Sequence, residues 1–304
     1  KISEISTLIT PNKREAEILS GISIKDDKDF ENALKIMRNF CKNIVIKNEG
    51  EDYCLINDRF FSLKTKKIDI QTHGSGCTFS SALISYLIYG HNIEEAVKKA
   101  KEFTYNSIKN SIFKEKKLKI LNPFYEIEKA IVKENIKRAL EILNKSKNKE
   151  KICPEVGINI AEITNFSNNV GEFSGRIFYD SKEDKFIPVG EIEFNLGKHL
   201  SRALIAYKKY SKKEMNAVIN IKFSEENLEK IKNKNFEISF FERKYEKEKE
   251  IEGNTMEYGI REALKKNENA EVIYDKGDVG KEAMIRFFGK NSIDVANKIL
   301  EIFG

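Results

Sequence analysis

Apolar positions recur along this chain with two alternating periods, near 3.6 in some segments and near 2 in others, which predicts helices interleaved with strands. Residues 5–9 (Ile-Ser-Thr-Leu-Ile) read as a strand ended by Thr10-Pro11, and Arg14 to Leu19 reads as a short helix stopped by Gly21. Phe30 to Phe40 has helical spacing, Asn43 to Lys47 is a buried-strand run, and residues 53–70 alternate as two or three short strands. An apolar helix follows Cys77 and ends near Gly90, and Asn92 starts another that runs through Ala96, Ala100, Phe103 and Ile108. Residues 113–122 are lysine-rich and lack an apolar period, so they read as a connector. From Asn122-Pro123 a helix continues to about Lys145, with Ile127, Ala130, Ile131, Ile136, Leu140 and Leu143 on one stripe, a docking face rather than a membrane anchor.

Ser146-Lys-Asn-Lys-Glu150 marks a joint, and from Pro154 the pattern restarts. Strands are expected at Val156–Ile160, Phe173–Tyr179, Ala217–Phe223, Phe236–Phe241 and Ala270–Tyr274. Helices are expected at Gly197–Tyr210, after a Ser224 cap, at Thr255–Lys265, and as two closing helices after Gly280 and Asn291. The whole reads as α/β, with residues 1–112 one domain, 113–150 a connector with an amphipathic helix, and 151–304 a three-layer α/β/α domain.

Composition narrows the partners. The 304 residues suffice for two domains, and 54 Lys and Arg against 48 Asp and Glu give a formal excess of +6. That excess is spread through mixed-sign sequence with no basic block interleaved with aromatics, so a solvated surface is expected and nucleic acid is not. Cys41, Cys54, Cys77 and Cys153 contain no Cys-x-x-Cys pair, which argues against a zinc site or a disulfide framework and for a reducing cytoplasm. No apolar run approaches the ~20 residues that span a bilayer, and no signal-peptide pattern is present. Small-molecule substrates are the expected partners, with a homo-oligomer open. The chain starts at Lys1 rather than Met and reads as a fragment.

Three constellations carry chemistry. In Gln71-Thr72-His73-Gly74-Ser75-Gly76-Cys77-Thr78, Gly74 and Gly76 permit a tight turn that points the N–H groups around Ser75 into one concavity at a helix start, an anion cradle. A turn made for close packing, with Cys77 as a small apolar residue, fits the same pattern. Asn12 and Glu15 fall just past a strand's C-terminal end, where open α/β sheets place ligands, and they also fit a capping box. In Asp275-Lys-Gly277-Asp278-Val-Gly280-Lys281-Glu282, two glycines before an expected helix, Lys281 in its first turn and Arg286 beyond make a phosphate-shaped corner or a turn with surface charges.

Two resemblances give these residues roles. Thr72-His-Gly-Ser-Gly-Cys77 and Thr10-Pro-Asn-Lys-Arg-Glu-Ala-Glu17 resemble motifs of the hydroxymethylpyrimidine (phosphate) kinases of the ribokinase superfamily. The resemblance implies that Cys77 stands where sugar kinases have a catalytic Asp, that Gly74, Ser75 and Gly76 hold phosphate, and that Asn12 and Glu15 position Mg²⁺ with ATP as co-substrate. It covers residues 1–112, the C-terminal half of such a kinase. It departs at Lys47-Asn48-Glu49-Gly50, where the family has Lys-Gly-Gly-His.

Residues 152–304 resemble the thiamine-phosphate synthase domain found fused behind those kinases, through Pro154-Glu-Val-Gly-Ile-Asn159, Ser174-Gly-Arg-Ile177, Gly197-Lys-His199, Asn220-Ile-Lys-Phe-Ser224, Thr255-Met-Glu-Tyr-Gly259 and the segment from Tyr274 to Arg286. This implies a fold similar to the class II aldolase/adducin domain, with Arg176 and His199 carrying activity; the glycine-rich corner of Gly280, Lys281 and Arg286 is expected at phosphate, and a departing diphosphate calls for cations among Arg176, Lys281, Arg202 and Arg286. The reaction implied joins hydroxymethylpyrimidine diphosphate to hydroxyethylthiazole phosphate. A similar domain fused to a helix-turn-helix senses thiamine phosphates without catalysis, but no helix-turn-helix is evident here.

Overall fold

The computed structural model describes residues 6–68, 72–114, 118–243 and 255–304, so the start of the residue 5–9 strand, Gln71 and Gly253-Asn254 of the expected site segments lie outside it. Two compact units divide the chain, Lys1–Tyr125 and Glu126–Gly304.

In the first unit, helices α1 (Lys13–Ser20) and α2 (Asp27–Met37) precede a three-stranded antiparallel sheet of β1 (Ile44–Ile46), β2 (Glu51–Ile56) and β3 (Arg59–Lys64). Ile9 bridges Ile44 in parallel, so the predicted first strand survives as a single bridge. Successive residues of β1 and β2 take opposite faces. Ile44, Ile46 and Leu55 pack on Ala16, Phe30, Leu34 and Met37, whereas Val45, Cys54 and Ile56 pack on Phe79, Leu83, Ala96 and Val97 of α3 (Ser75–Ile88) and α4 (Ile93–Lys109). A strand covered on both faces must be apolar throughout, which is why Asn43 to Lys47 shows no alternation.

The stretch expected to be a connector forms structure instead. β4 (Thr72–His73) pairs in parallel with β6 (Leu118–Ile120), which pairs antiparallel with β5 (Ile112–Lys114). Strands of two or three residues hold too few alternations to register as a period.

The second unit contains most of α5 (Tyr125–Leu143), then α6 (Lys149–Ile152), β7 (Ile160–Ile163), β8 (Val170–Phe173), β9 (Ile177–Asp180), β10 (Lys185–Pro188) and β11 (Ile192–Phe194). Next come α7 (His199–Tyr210), β12 (Ala217–Lys222), α8 (Glu225–Lys232), β13 (Ile238–Phe240), α9 (Thr255–Lys266), β14 (Val272–Asp275), β15 (Met284–Gly289) and α10 (Ser292–Phe303). Seven strands form one sheet in the order β11-β8-β7-β12-β15-β14-β13, antiparallel except for β13 and β14.

Its two faces carry separate cores. On one, Ile160, Phe173, Ile219, Ile285 and Phe287 bury with Val132, Ile136 and Leu143 of α5 and Val295, Ile299 and Phe303 of α10. On the other, Ala161, Val170, Val218, Ile273 and Phe288 bury with Leu200, Leu204 and Tyr207 of α7 and Met256, Ile260 and Leu264 of α9. Three layers result. Each fully buried Ile or Phe contributes about 1.5–3 kcal/mol of transfer free energy.

Three expectations need correction. β7 starts at Ile160 rather than Val156, because Gly157 turns the chain at φ +83. The predicted strand Phe173–Tyr179 breaks at Ser174-Gly175-Arg176; β8 stays in the sheet while β9 leaves it to pair with β10. Most consequentially, no helix follows Gly280. Met284–Gly289 is a strand near the middle of the sheet with all six residues buried, so Lys281 stands in a turn and Arg286 inside a strand.

Candidate active sites

In the first unit, Asn12 caps α1 and Glu15 returns the bond. Asn12 Oδ1 accepts the Glu15 N–H at 2.9 Å, and Glu15 Oε2 accepts the Asn12 N–H at 2.8 Å. Asn12, Ser75 and Gly76 line one recess of about 1000 Å³ together with Lys13, Lys47, Asn48, Asp52 and Lys101, while Glu15, Gly74 and Cys77 do not line it. Gly74 holds φ +92 at the start of α3, a left-handed conformation that favours glycine, and no side chain caps the helix there. The first N–H groups of α3 therefore keep their donor capacity, and Cys77 is exposed beside them. A Cβ on Gly76 would lie 3.1 Å from Lys47 Nζ, which places an ammonium over the helix start.

The departing segment Lys47-Asn48-Glu49-Gly50 also lines the recess. Its anchor is Asp52, buried, which accepts the Asn48 N–H at 3.0 Å and pairs with Lys101 at 2.9 Å. No group of three or more His, Cys, Asp or Glu side chains able to hold a metal occurs among the described residues. Asn12 and Glu15 already spend one oxygen each on the cap. A magnesium ion that arrives with a nucleotide takes only one or two protein ligands and keeps its waters, so this pair fits such an ion and not a resident cage.

The second unit's site lies where one face of the sheet changes from apolar to polar. Glu172 follows Val170 by two residues, Asn159 precedes Ala161, Asn220 follows Val218, Arg286 precedes Phe288 and Asp275 follows Ile273, so all five extend the α7/α9 face. All five are buried. Three of them join into one hydrogen-bonded set, and Asp275 and Arg286 pair in another. Asn220 Oδ1 accepts the Asn159 N–H at 2.7 Å, Asn220 Nδ2 donates to the Gly157 carbonyl at 3.3 Å, and Asn159 Nδ2 donates to Glu172 Oε2 at 3.4 Å.

Asp275 receives Arg243 Nε at 2.6 Å and Nη2 at 3.2 Å, Arg286 Nη1 at 2.7 Å, and the Gly277 N–H at 3.0 Å. Burial pushes the Asp275 carboxyl up, but the two guanidiniums outweigh it and hold the group below the usual carboxylate range. Arg286, expected at phosphate, is thus buried and engaged by Asp275.

His199 is the first residue of α7. Its pKa is pushed down first by partial desolvation, then by Arg202, Arg176, Arg243 and Arg286. Arg176, Arg202 and Arg286 of the expected cations thus all act on His199, and Arg243 joins them. Arg243 was hidden from sequence reading, since nothing in Phe241-Glu-Arg243 marks it; its signal is the pairing with Asp275 from another strand.

Gly280 and Lys281 belong to a turn closed by the Asp278 and Lys281 backbones at 2.8 and 3.0 Å. Gly277 holds φ +74, and a Cβ there would lie 2.5 Å from the Lys281 carbonyl oxygen. Glu282 accepts the N–H groups of Glu155 and Val156 at 2.9 and 3.1 Å, which ties this turn to the Pro154–Gly157 loop. That loop in turn abuts Arg176, because a Cβ on Gly157 would stand 3.1 Å from the Arg176 Cβ.

The comparisons agree with this division. A family model described as thiamine-phosphate synthase ThiN matches residues 135–301, and one described as phosphomethylpyrimidine kinase matches residues 1–122. The bifunctional thiamine biosynthesis protein ThiDN of Methanocaldococcus jannaschii is 34% identical, over 97% of this chain and 67% of its own. The hydroxymethylpyrimidine/phosphomethylpyrimidine kinase of Haemophilus influenzae is 37% identical over 34% of this chain, which spans 43% of that kinase's length. A solved C-terminal domain of a phosphomethylpyrimidine kinase superposes with a TM-score of 0.52 at 32% identity, covering 57% of this chain and 99% of that domain. No described helix is long and apolar enough to cross a membrane.

Proposed function

Because the chain belongs to the thiamine-phosphate synthase ThiN family and, over nearly its whole length, resembles a bifunctional thiamine biosynthesis protein, we propose that its second unit is a working synthase. The unit joins hydroxymethylpyrimidine diphosphate to hydroxyethylthiazole phosphate. The thiazole nitrogen's electron pair forms a bond to the pyrimidine methylene carbon, the carbon–oxygen bond breaks, and its electrons leave with diphosphate. The observation that carries the reading is the cationic end of the α7/α9 face, where Arg176, Arg202, Arg243 and Arg286 all act electrostatically on His199, two of them anchored on Asp275.

Charge builds on the departing diphosphate, and the guanidiniums at this end of the face stabilise it there. Arg176 and Arg202 face the substrate in this reading, whereas Arg243 and Arg286, held by Asp275, supply field from behind. His199 stays neutral near pH 7 and donates a hydrogen bond to a phosphate, with the α7 N-terminus aiding it. Lys281 lies on the rim of the same loop system and screens the second phosphate.

In the first unit, the lysine-lined recess takes the phosphates of ATP, with Gly74, Ser75 and Gly76 offering backbone donors and Cys77 at the acceptor side. Asn12 and Glu15 would hold a Mg²⁺ ion that arrives with the nucleotide, and the ion would neutralise phosphate charge. The test of the synthase reading is to mix the chain with both phosphorylated substrates and Mg²⁺ and follow thiamine phosphate by chromatography. Turnover supports it; binding of thiamine phosphate without turnover at high enzyme concentration assigns the unit to ligand sensing instead.

A further inference from the structure

We infer that Lys198 is a positioning residue for Arg176, tying the loop that carries Arg176 to the helix start that carries His199; the inference rests on the synthase reading above. Lys198 Nζ donates to three backbone carbonyls, those of Phe173 at 3.1 Å, Gly175 at 3.2 Å and Ser174 between them. An ammonium has three N–H groups, so its donors are all directed at the three residues that immediately precede Arg176.

The loop needs this support. β8 ends at Phe173 and β9 begins at Ile177, so Ser174, Gly175 and Arg176 lie outside any strand. On one side the Ser174 and Gly175 N–H groups donate to Glu191 and Val189 carbonyls at 2.8 and 2.9 Å. On the other side their carbonyls receive Lys198. The loop is therefore held through donors from one direction and acceptors from the other.

Lys198 is also the residue before His199 and stands as the N-cap of α7 in extended backbone, φ −73 and ψ 172. One side chain thus sets the distance between the two elements expected to carry the reaction. Beneath it sits Glu172, fully buried, with Oε1 lacking a hydrogen-bond partner, and the Lys198 charge acts on that carboxylate. The ammonium is therefore spent on the loop carbonyls, and it is not free to bind substrate.

The test is a double-mutant cycle on the full chain, with kcat and KM measured for thiamine phosphate formation. Lys198→Met keeps the apolar stem and removes the donors. We expect it to lower kcat by roughly tenfold or more, since small misplacement of a catalytic group has effects of that order. In an Arg176→Ala background the same change should add less than about threefold, because the group it positions is gone. Lys198→Arg keeps the charge but cannot converge three donors from one nitrogen, so it should stay impaired. Additive losses, or full activity in Lys198→Arg, overturn the inference while leaving the role of Arg176 intact. An Arg176→Ala enzyme of normal activity removes both readings. If Lys198→Met fails to fold by circular dichroism, the cycle is run with Lys198→Arg, and additivity there decides against the inference in the same way.

Discussion

Arg286 on β15 reaches diagonally to Asp275 on β14, Nη1 to Oδ2 at 2.7 Å, with both side chains almost wholly out of water. Arg243 takes the same carboxylate from the other side at 2.6 Å. Two guanidiniums thus share one buried carboxylate within electrostatic range of His199, and each depends on it for a partner out of water.

Asp275→Asn should therefore destabilise the protein by about 3–5 kcal/mol at pH 7 in urea denaturation, the order found when one partner of a buried pair is removed. The sign with pH follows from a carboxyl whose folded pKa is depressed. Its contribution is present above about pH 4, the unfolded value, and disappears as pH falls through the lower folded value. The gap between wild type and Asp275→Asn should close on that side. A difference under about 1 kcal/mol at pH 7 contradicts the assignment.

Arg176→Ala should lower kcat by roughly 10²-fold or more, as expected for loss of one transition-state donor. Arg176→Lys should recover little, since a point charge does not reproduce the planar fork. Steady-state assays check both, and a kcat within about threefold of wild type, under ~1 kcal/mol, would rule Arg176 out.

His199 should titrate below the ordinary histidine value of about 6.5 when its ring protons are followed by NMR, with His199→Asn used for assignment. Arg202→Ala should raise that midpoint, because Arg202 heads the charges that disfavour the imidazolium after desolvation. His199→Asn should keep more than about one-tenth of kcat, as a hydrogen-bond donor without a titratable group. A loss of 10²-fold or more would give His199 acid/base work instead.

In the first unit, Lys47→Met should weaken ATP binding by roughly tenfold, about 1.4 kcal/mol, when titrated calorimetrically with Mg²⁺ present. Lys64→Met is the control, since Lys64 pairs with Glu51 at the surface and does not line the recess. Equal losses in the two variants would reduce the lysine-lined recess to general electrostatics.

Much of the fold could be read from the sequence because its signals are local. Asn12, Asp26, Asn92, Ser224 and Asn291 each cap the helix that follows, and each cap bond is made within three residues. The segment Met284 to Gly289 misled because a short, wholly buried apolar run has no period to separate strand from helix, and the glycines before it imitate a helix start. Arg286 therefore falls inside a buried strand, paired with Asp275, rather than in a helix past the turn. Lys198 stood inside a quoted motif, yet its partners lie more than twenty residues upstream, across the β11 hairpin, as the bond to Gly175 shows. The Arg243–Asp275 pair depended in the same way on β13 lying next to β14.

β15 enters the sheet between β12 and β14, although it comes last in the chain among the seven strands of that sheet. Until residues 284–289 have emerged, the strands already made can form only two partial sheets, β11-β8-β7-β12 and β14-β13, each with an unpaired inner edge. Folding of this unit must wait for translation to pass Gly289, and its many long-range strand pairings make it slow once started. A chain interrupted between β14 and β15 exposes both edges and an unfilled apolar groove where Ile285 and Phe287 belong. Products of premature stop codons in that stretch should therefore be recovered in inclusion bodies, and chaperone demand should fall once residues 284–289 have emerged.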